Sequence, residues 1–295
     1  MRISVIGGGA IGLLVSYFLK QNGQEPVIYT RSSEQAKELR RSGLTYRDTN
    51  GSETTVKVDA KPFAQYFGEE SSCIIAVKQT AMNELHGLIT YSEVSYLFLQ
   101  NGISHLSFLK TMPQKQITIG VVEHGAIKKD FTTVHHLGEG RIKVSSYRGD
   151  SEQTWGGLLH SSRFPIALEK EWERMVYEKL IMNASINPLT ALLRITNGEL
   201  LTNPHAFSMM KELFDEAVSV LNMTGRREVL WKELLVLCRN TSLNRSSMLK
   251  SVESGKQTEI ESITGEVIKR GKELKIQTPY SRFAYEAISA LDGRG

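Results

Sequence analysis

The amino-acid sequence predicts an α/β domain with a mostly parallel sheet, followed by an all-α domain. Strand-like and helical patterns alternate through the first half of the chain, which is typical of a parallel sheet with right-handed crossovers. Beyond about residue 165 the strand-like runs almost vanish and helical spacing replaces them. The length of 295 residues is twice the roughly 150 residues of a typical domain. We therefore predict two domains, residues 1–167 and residues 168–295.

The first domain begins with short apolar runs separated by helical patterns, and turn residues mark their ends. Asn22-Gly23 offers the left-handed stop that ends a helix, and Asn50-Gly51 is a hairpin signal. In chain order we predict strand Ile3–Ile6, helix Ala10–Gln21, strand Pro26–Thr30, helix Ser33–Arg41, paired strands within Leu44–Val58, and buried strands Cys73–Lys78, Tyr96–Gln100 and Ile117–Val122. Near Gly138–Gly140 the segments TTVHHL and RIKVSSY predict another hairpin.

The second domain is predicted to be helical. Residues Glu171 to Arg194 form the first long helical pattern, and His205 to Thr224 form the second. Further helical patterns are Ile260, Ile263, Val267 and Ile268, which recur at helix-face intervals, and the final segment around Phe283–Leu291. Such sustained helical spacing is typical of an all-α domain.

Composition places the chain among ordinary globular proteins. Hydrophobic residues make up 40% of the chain and charged residues 23%, which argues against a disordered or fibrous protein. The net charge is +4 and no basic run is interleaved with aromatic residues, so nucleic acid is not an expected partner. A modest positive field favours small anionic ligands. The seven histidines show no metal-ligand spacing, so no metal site is predicted. The sequence leaves the oligomeric state open, a homodimer included.

The N-terminal stretch from Ile3 to Leu19 is uncharged and imitates a secretion signal. It contains four glycines, however, and no Ala-x-Ala cleavage site follows it. It is also shorter than the roughly 20 apolar residues that a membrane helix requires. A strand, a turn and a helix of a mature protein account for it better. We therefore expect a cytoplasmic protein that does not associate with a membrane.

A glycine-rich turn lies between the first strand and the first helix. Gly7, Gly9 and Gly12 stand in the GxGxxG register, which is informative when it ends a strand and opens a helix, as it does here. The first glycine permits the tight turn, the second the approach of a pyrophosphate, and the third the packing of helix on strand. The alternative is a plain turn between two buried elements. We predict that the dinucleotide phosphates bind at Gly7, Gly8, Gly9, Ala10, Ile11 and Gly12.

The residues after the second strand indicate which dinucleotide is bound. NAD-dependent sites usually carry Asp or Glu about 20 residues after the glycines, but this chain has Thr30-Arg31-Ser32 there. The planar guanidinium of Arg31 suits a 2′-phosphate, so we predict NADP(H) rather than NAD(H). The alternative is a solvated arginine at a strand end. Lys78 and Asn101 close two further strands, where ligands of α/β sheets bind, although a solvated helix start and a turn would also explain them.

The segment YEKLIMNASINPLTA, residues 177–191, carries the strongest pattern of the second half. Lys179, Asn183 and Asn187 stand at helical intervals, so a helix places them along one stripe. Asparagine is a poor helix former, and helix propensity does not explain two of them on one face beside a lysine. Pro188 predicts a kink, which can aim the stripe into a cleft. The alternative, a solvated polar face, would carry more charge and fewer amides.

A second polar segment is NRSSMLKSVESGKQTEIESITG, residues 244–265. Its Ser246-Ser247 pair is typical of a loop or a helix cap, and Glu259 starts the next helix. Taken alone, Glu259 is an acidic residue of the kind favoured in a first helical turn. Taken with Lys179, it can be the carboxylate that keeps the lysine charged and oriented. Sequence spacing does not show that the two side chains meet.

These motifs together carry a resemblance to a known family. GGGAIG, QNG, KLIMNASINPLTA, SSML and TEIESITG occur in order over nearly the whole chain, and KLxxNxxINPLTA with a later TEI is far more specific than the glycine motif. The chain resembles the ketopantoate reductase (2-dehydropantoate 2-reductase) family. The resemblance implies an N-terminal Rossmann-type domain and a helical C-terminal domain. It also implies NADPH-dependent reduction of ketopantoate to (R)-pantoate, a step of pantothenate and hence coenzyme A synthesis.

The resemblance also implies roles for particular residues. Lys179 matches the proton donor in KLxxN, which also contacts the substrate. Glu259 matches the acid in TEI, which is a catalytic residue and also contacts the cofactor. Asn101 matches the QNG residue that faces both cofactor and substrate. The remaining matches are substrate contacts at Asn183, Asn187 and Ser247, and cofactor contacts at Arg31, Lys78 and, through its backbone, Ala126. One departure is visible, because Lys250-Ser251 follows SSML where the family commonly has Gln-Asp. The exchange removes an acid and adds positive charge.

The residue types suit hydride transfer to an α-keto acid. As negative charge builds on the carbonyl oxygen, the ammonium of Lys179 can stabilise it and supply the proton, a contribution typically worth about 10²–10⁴-fold in rate. Amides and a hydroxyl offer donors to the substrate, so no metal is required. Two alternatives stay open, a related NADP-linked 2-hydroxyacid dehydrogenase acting on another keto acid and a non-catalytic dinucleotide-sensing protein. The latter has no need of Lys179 and Glu259 together.

Overall fold

The computed structural model describes residues 1–85, 87, 89, 91 and 93–292, and the chain divides into two compact units. The first unit comprises Met1–Asn101 and His105–Met175. The second comprises Gly102–Ser104 and the chain from Val176 onward. The predicted domain boundary, after residue 167, lies a few residues before this division.

The strands of the first unit form two sheets. In the described residues they are β1 (Arg2–Ile6), β2 (Glu25–Thr30), β3 (Leu44–Arg47), β4 (Glu53–Val56), β5 (Asp59–Pro62), β6 (Ser72–Ile75), β7 (Ser95–Phe98), β8 (Ile117–Val122), β9 (Gly125–Lys128), β10 (Thr133–Gly138), β11 (Ile142–Arg148) and β12 (Ile166–Leu168). The larger sheet has the order β12-β11-β8-β7-β6-β1-β2-β5, and the smaller has the order β4-β3-β10-β9. All neighbours in the larger sheet are parallel except β8 and β11, which confirms the predicted mostly parallel sheet.

Helices and a shared apolar core accompany these strands. The helices described in this unit are α1 (Ala10–Gln21), α2 (Ser33–Ser42), α3 (Met82–Leu85), α4 (Leu106–Thr111) and α5 (Glu152–Leu159). Val5, Ile28 and Ile74 of the central strands are fully buried, as expected where both faces of a parallel sheet are covered. One cluster of buried side chains includes residues of α1, α2, α5 and both sheets. This cluster holds the start of α1 in place beside the end of β1.

The predicted hairpin near Gly138–Gly140 is wrong. TTVHHL falls in β10, which pairs with β9 and β3, whereas RIKVSSY falls in β11, which pairs with β8 and β12 in the other sheet. The backbone N–H of Gly140 donates to Nδ1 of His124 at 3.1 Å, and a Cβ at Gly140 would overlap the carbonyl of Glu123. The chain therefore passes from one sheet to the other at these glycines. Each segment pairs with a strand from the preceding stretch of chain instead of with the other segment.

A buried hydrogen-bond chain links β3 and β10 to the loop before β9. Tyr46 Oη lies 2.9 Å from Nδ1 of His136, and Nε2 of His136 lies 3.0 Å from Nδ1 of His124. Because the Gly140 N–H donates to Nδ1 of His124, that nitrogen is an acceptor, and we assign both rings as neutral with the proton on Nε2. Burial lowers the pKa of His124 to about 4 and also lowers the pKa of His136.

We expect the free energy of unfolding to decrease as the pH is lowered from 6.5 towards 4, because the unfolded chain then binds a proton at His124 that the folded core excludes. Between about pH 7.5 and about pH 5, His124 should account for a decrease of about 1–2 kcal/mol in the free energy of unfolding. Urea unfolding at both pH values measures the effect. His124→Gln should remove this part of the pH dependence and leave the parts that His105 and His136 contribute, whereas the exposed His205, replaced by Gln, should leave the whole unchanged. A His124→Gln protein with the wild-type pH dependence would contradict this account.

The second unit contains helices and connecting loops throughout its described residues, which confirms the predicted all-α region. The helices are α6 (Trp172–Leu193), which starts in the last residues of the first unit, α7 (Glu199–Thr202), α8 (Pro204–Val220), α9 (Arg227–Asn240), α10 (Ser247–Glu253), α11 (Glu266–Leu274) and α12 (Pro279–Asp292). Phe214 of α8 is fully buried and packs against Trp231 of α9, with ring centroids 5.0 Å apart. α8 ends before the predicted Thr224, because Asn222 adopts a left-handed φ of +56° that a helix cannot continue.

Candidate functional site

The turn between β1 and α1 has the geometry that the glycine spacing predicts. Gly7 has φ +123°, and a Cβ there would lie 2.8 Å from the backbone of Ala76. A Cβ on Gly12 would overlap the carbonyl oxygen of Gly7, so only glycine allows this close contact of helix and turn. The Cβ position of Gly9 has no described atom within 4 Å apart from its chain neighbours. The middle glycine therefore borders open space that a phosphate can enter.

The N-terminus of α1 begins at this turn without a side-chain cap. Gly9 is the N-cap residue, and the first turn of the helix carries no acidic side chain. The N–H groups at the start of a helix have no intrahelical acceptor, and the helix dipole makes that end positive. Ala10 and Ile11, which start the helix, are partly buried. The helix thus places free donors and positive potential beside the open space at Gly9, an arrangement that suits a pyrophosphate.

The strand order brings three other predicted cofactor residues to one edge of the sheet. β7, β6, β1 and β2 are consecutive neighbours and run parallel, so the residues that follow them share the carboxyl edge. Asn101 comes after β7, Lys78 after β6 and Arg31 directly after β2. Lys78 and Arg31 are exposed, and Asn101 is partly buried. This edge therefore carries two cations and an amide together with the glycine turn.

Arg31 has a protein partner at this edge that the sequence analysis did not predict. Its Nη2 lies 3.2 Å from Oε1 of Glu84 in α3, and the arginine side chain is 85% exposed. An exposed ion pair contributes at most about 1 kcal/mol, so a ligand phosphate can compete for the guanidinium. No local sequence signal could have revealed Glu84, because the contact depends on where α3 lies after folding.

Ala126 occupies a different position from the strand-end residues. It lies in β9 of the smaller sheet, opposite His136 of β10. Its side chain packs against the apolar cluster to which α1 belongs, and β9 contacts α1. The structure therefore places Ala126 in a strand of the smaller sheet, beside the first helix.

In the second unit, Lys179, Asn183 and Asn187 all lie within α6, which continues through Pro188. Lys179 and Asn183 are partly buried, and Asn187 is 7% exposed. Helical spacing keeps the three residues on one stripe. Proline removes one backbone donor here without ending the helix, and the kink that it predicts stays a prediction.

The start of α10 is attached to α6 by a hydrogen bond between hydroxyls. Ser246 is the N-cap of α10, where its Oγ accepts the N–H of Leu249 at 3.1 Å, so it is the helix cap among the two possibilities, loop or cap, that the sequence left open. The same Oγ accepts a hydrogen bond from Oγ1 of Thr190 in α6 at 2.8 Å. Ser247, the predicted substrate contact, is the next residue and is exposed. The hydrogen bond thus joins the residue before Ser247 to Thr190 of α6, which the sequence analysis did not single out.

Glu259 precedes an unusual helix start. It is partly buried, and its carbonyl accepts the N–H of Ile263 at 3.2 Å and the hydroxyl of Ser262 at 3.1 Å. A π-helical turn, Glu261–Gly265, then leads into α11. Such turns are frequent at functional sites, and the apolar spacing alone does not predict one. The roles of Glu259 and Lys179 stay predictions.

Within the described ranges, no three His, Cys, Asp or Glu side chains converge to hold a metal ion. Over the same residues, no helix has the length and apolar character needed to cross a bilayer. His105, His124 and His136 are buried, and His86 lies outside the described residues.

A parallel sheet, a glycine turn at its carboxyl edge and an uncapped helix N-terminus define the class of Rossmann-type dinucleotide-binding proteins. Comparison with known families covers both units. Residues 3–149 match the family described as ketopantoate reductase PanE/ApbA, and residues 171–292 match ketopantoate reductase PanE/ApbA C terminal. The chain belongs to the ketopantoate reductase family, which confirms the resemblance indicated by its motifs.

Individual relatives are similar over their full lengths. The chain is 37% identical over 297 residues to a 2-dehydropantoate 2-reductase of Bacillus subtilis (strain 168), covering 99% of this chain and 98% of the relative. A crystal structure of the probable 2-dehydropantoate 2-reductase of Bacillus subtilis has a TM-score of 0.90 at 35% identity, covering 99% and 100% of the two chains. The ternary structure of D-mandelate dehydrogenase with NADH and anilino(oxo)acetate has a TM-score of 0.89 at 22% identity, covering 99% and 98%. The last similarity shows the fold alone.

Proposed function

We propose that this protein reduces 2-dehydropantoate to (R)-pantoate with NADPH, in the synthesis of pantothenate and coenzyme A. The observation that carries the proposal is the full-length similarity to 2-dehydropantoate 2-reductases, at 37% identity to the Bacillus subtilis relative. The fold by itself would not support it, because one fold hosts many reactions. The residues on α6 and at the sheet edge provide the chemical groups that this reaction needs.

The residues of the first unit fit a nicotinamide dinucleotide. The open space at Gly9 and the uncapped start of α1 suit the pyrophosphate. The residue directly after β2 is the exposed cation Arg31 and not an acid, which favours the 2′-phosphate of NADPH over the free ribose hydroxyl of NADH. Lys78 adds a second cation at the same edge, and the backbone of Ala126 would contact the cofactor. When bound, the cofactor supplies the hydride that the keto carbon accepts.

Lys179 is the proposed proton donor. When the keto carbon gains a hydride, the carbonyl oxygen gains negative charge, and a positioned ammonium both stabilises that charge and protonates the oxygen. The product is then a 2-hydroxy acid, and the lysine is left neutral until it takes up a proton from solvent. Glu259 is proposed to orient the ammonium and to contact the cofactor. This division of roles gives each of the two charged residues a distinct task.

Neutral donors are proposed to hold the substrate. A keto acid presents a carboxylate and a carbonyl oxygen, both of which accept hydrogen bonds, and amide N–H₂ and hydroxyl groups donate to them. Asn187 is nearly buried, so a substrate group that it binds would be largely removed from water. The proposed substrate-binding residues are Asn101, Lys179, Asn183, Asn187 and Ser247.

The proposal is tested by the oxidation of NADPH, followed through its near-ultraviolet absorbance when keto acids are added to the purified protein. We expect the highest kcat/KM with 2-dehydropantoate among a set that includes pyruvate, 2-ketoisovalerate and phenylglyoxylate. NADPH binding is measured separately by fluorescence titration. A protein that binds NADPH and reduces none of these acids would overturn the proposal and favour a dinucleotide-sensing role.

A second candidate function is a related 2-hydroxyacid dehydrogenase with another keto acid. The similarity to D-mandelate dehydrogenase, at 22% identity, indicates the architecture and not the substrate. A reason to compare substrates lies in the sequence, because Lys250-Ser251 follows SSML in this chain where the family commonly has Gln-Asp. A higher kcat/KM with phenylglyoxylate than with 2-dehydropantoate would establish this second function.

Replacement of Arg31 by alanine is expected to raise the KM for NADPH by about 10–100-fold, because charge-assisted hydrogen bonds to phosphate are lost. The KM for NADH should change little. Glu84→Gln is the matched variant at the same ion pair, since it removes the carboxylate that faces the guanidinium. It should lower the KM for NADPH a few-fold. Steady-state kinetics with both cofactors measure these effects, and an unchanged cofactor preference in Arg31→Ala would refute the NADPH assignment.

A further inference from the structure

Two glutamine side chains connect the loops that follow β6 and β7. The side-chain amide of Gln100, after β7, donates to the carbonyl of Ile75 at 2.9 Å and to that of Val77 at 3.1 Å. The side-chain amide of Gln79, after β6, donates to the carbonyl of Asn101 at 3.0 Å. Each glutamine therefore reaches from its own loop to the backbone of the other. We call this pair of bridges, Gln79 and Gln100, the glutamine clasp.

The bond between Gln79 and Asn101 has a defined polarity. A backbone carbonyl only accepts hydrogen bonds, so the amide nitrogen of Gln79 must face Asn101. The same nitrogen lies 2.7 Å from Nδ1 of His105, which must then be an acceptor, with the ring proton on Nε2. His105 is 2% exposed and its ring stacks on Phe98 at an interplanar angle of 13°. Burial lowers its pKa to about 4, so the ring stays neutral and keeps accepting.

The carbonyl that Gln79 binds belongs to the peptide between Asn101 and Gly102. Gly102 has φ +77°, a conformation that favours glycine, and a Cβ there would overlap the carbonyl oxygen of Ser262. The bond from the Gln79 amide to the Asn101 carbonyl adds a directional contact to this peptide and so restrains the backbone that carries the asparagine side chain. Gln79 directly follows Lys78, so the clasp joins the two strand-end residues that would contact the cofactor.

We infer that Gln79 is a positioning residue, which sets the orientation of Asn101 for substrate and cofactor through the glutamine clasp. The inference rests on the proposed function, in which Asn101 touches both. A positioning role differs from a purely structural one, and Gln114 provides an example of the structural role in the same chain. Gln114 is fully buried and its amide likewise donates to two carbonyls, of Ile89 at 3.0 Å and of Tyr91 at 3.3 Å. It precedes β8 and so lies at the opposite, amino edge of the sheet.

The test compares Gln79→Met with Gln114→Met, since methionine keeps the length of the side chain and removes its donors. For Gln79→Met we expect kcat/KM for 2-dehydropantoate to fall about tenfold, the equivalent of one or two lost hydrogen bonds. Most of the loss should appear in kcat, because a misoriented asparagine impairs the transition state more than the bound ground state. Gln114→Met should lower Tm by about as much as Gln79→Met does, and it should leave kcat and KM unchanged. Gln79→Asn has a shorter side chain that still donates hydrogen bonds, so its kcat/KM should lie between those of wild type and Gln79→Met. It replaces Gln79→Met in the test if that variant does not fold.

Hydrogen exchange supplies a readout that does not depend on turnover. Backbone amides of residues 98–106 should exchange faster in Gln79→Met than in wild type, and those in Gln114→Met should not. If wild type binds NADPH but reduces no keto acid, the proposed function fails. The exchange rates and the fluorescence titration of NADPH, compared between wild type and Gln79→Met, then still test whether the glutamine clasp orders the Asn101 loop. Unchanged exchange at 98–106, or equal kinetic losses in Gln114→Met and Gln79→Met at equal Tm, would overturn the inference.

Discussion

Replacing Lys179 with alanine is expected to lower kcat for 2-dehydropantoate by about 10²–10⁴-fold, the usual contribution of a positioned general acid. The physical reason is that negative charge on the substrate oxygen would lose both its cationic partner and its proton source. NADPH affinity should stay within a few-fold of wild type, since Lys179 is proposed to contact the substrate, whereas the proposed phosphate site is the glycine turn at the start of α1. Turnover is measured by NADPH oxidation, and binding by fluorescence titration.

The control for this substitution is Lys211→Ala, which removes an exposed lysine from another helix of the same unit. It should have the wild-type kcat. Glu259→Gln should also lower kcat, and the double variant with Lys179→Ala should be no slower than Lys179→Ala alone, because a residue that orients the lysine has nothing left to orient. A Lys179→Ala protein with near-normal kcat would reject the lysine as the acid.

The second large effect is expected from alanine at Gly9 and at Gly12, the second and third glycines of the motif. Gly12→Ala should lower the free energy of unfolding by about 1–3 kcal/mol or more, because the new Cβ overlaps the carbonyl oxygen of Gly7 and the helix must shift. Gly9→Ala should fold with a nearly unchanged Tm, because its Cβ position is open and its φ of −84° suits any residue. Its methyl group would instead occupy the space proposed for the pyrophosphate and raise the Kd for NADPH at least about tenfold.

Thermal unfolding and NADPH titration separate the two glycine effects. Gly157→Ala is a suitable control, because the position is exposed within α5 and its Cβ meets no described atom beyond the helix itself. That variant should keep the wild-type Kd and have an equal or slightly higher Tm, since alanine favours helix over glycine. Wild-type NADPH affinity in Gly9→Ala would contradict the phosphate site, and a wild-type Tm in Gly12→Ala would contradict the close contact of turn and helix.

Elements with strong local signals were predictable from the sequence. The predicted helix Ala10–Gln21 coincides with α1, and the predicted strand Ile117–Val122 coincides with β8. The hairpin signal at Asn50-Gly51 is also confirmed, with Leu44 of β3 opposite Val56 of β4. Hydrophobic periodicity and turn chemistry are properties of neighbouring residues, so a single sequence carries them in full.

The candidate site was predictable as a set of residue types but not as a set of contacts. Spacing on one helix indicated the stripe of Lys179, Asn183 and Asn187, and the structure keeps all three within α6. The partners of other site residues had no comparable signal. Glu84 faces Arg31, and Gln79 holds the peptide of Asn101, only because separate strands place their following loops side by side.

The sequence by itself determined the alternation of strands and helices, the glycine positions where a Cβ cannot fit, and the spacing that aligns polar residues along α6. Only the tertiary structure decided that TTVHHL and RIKVSSY belong to different sheets, that His124 and His136 form a buried neutral pair, and that two glutamines clasp neighbouring loops. The physical reason is that propensity, periodicity and steric fit act over a few residues. Strand partners and buried hydrogen bonds are instead chosen by the free energy of packing between segments that lie far apart along the chain.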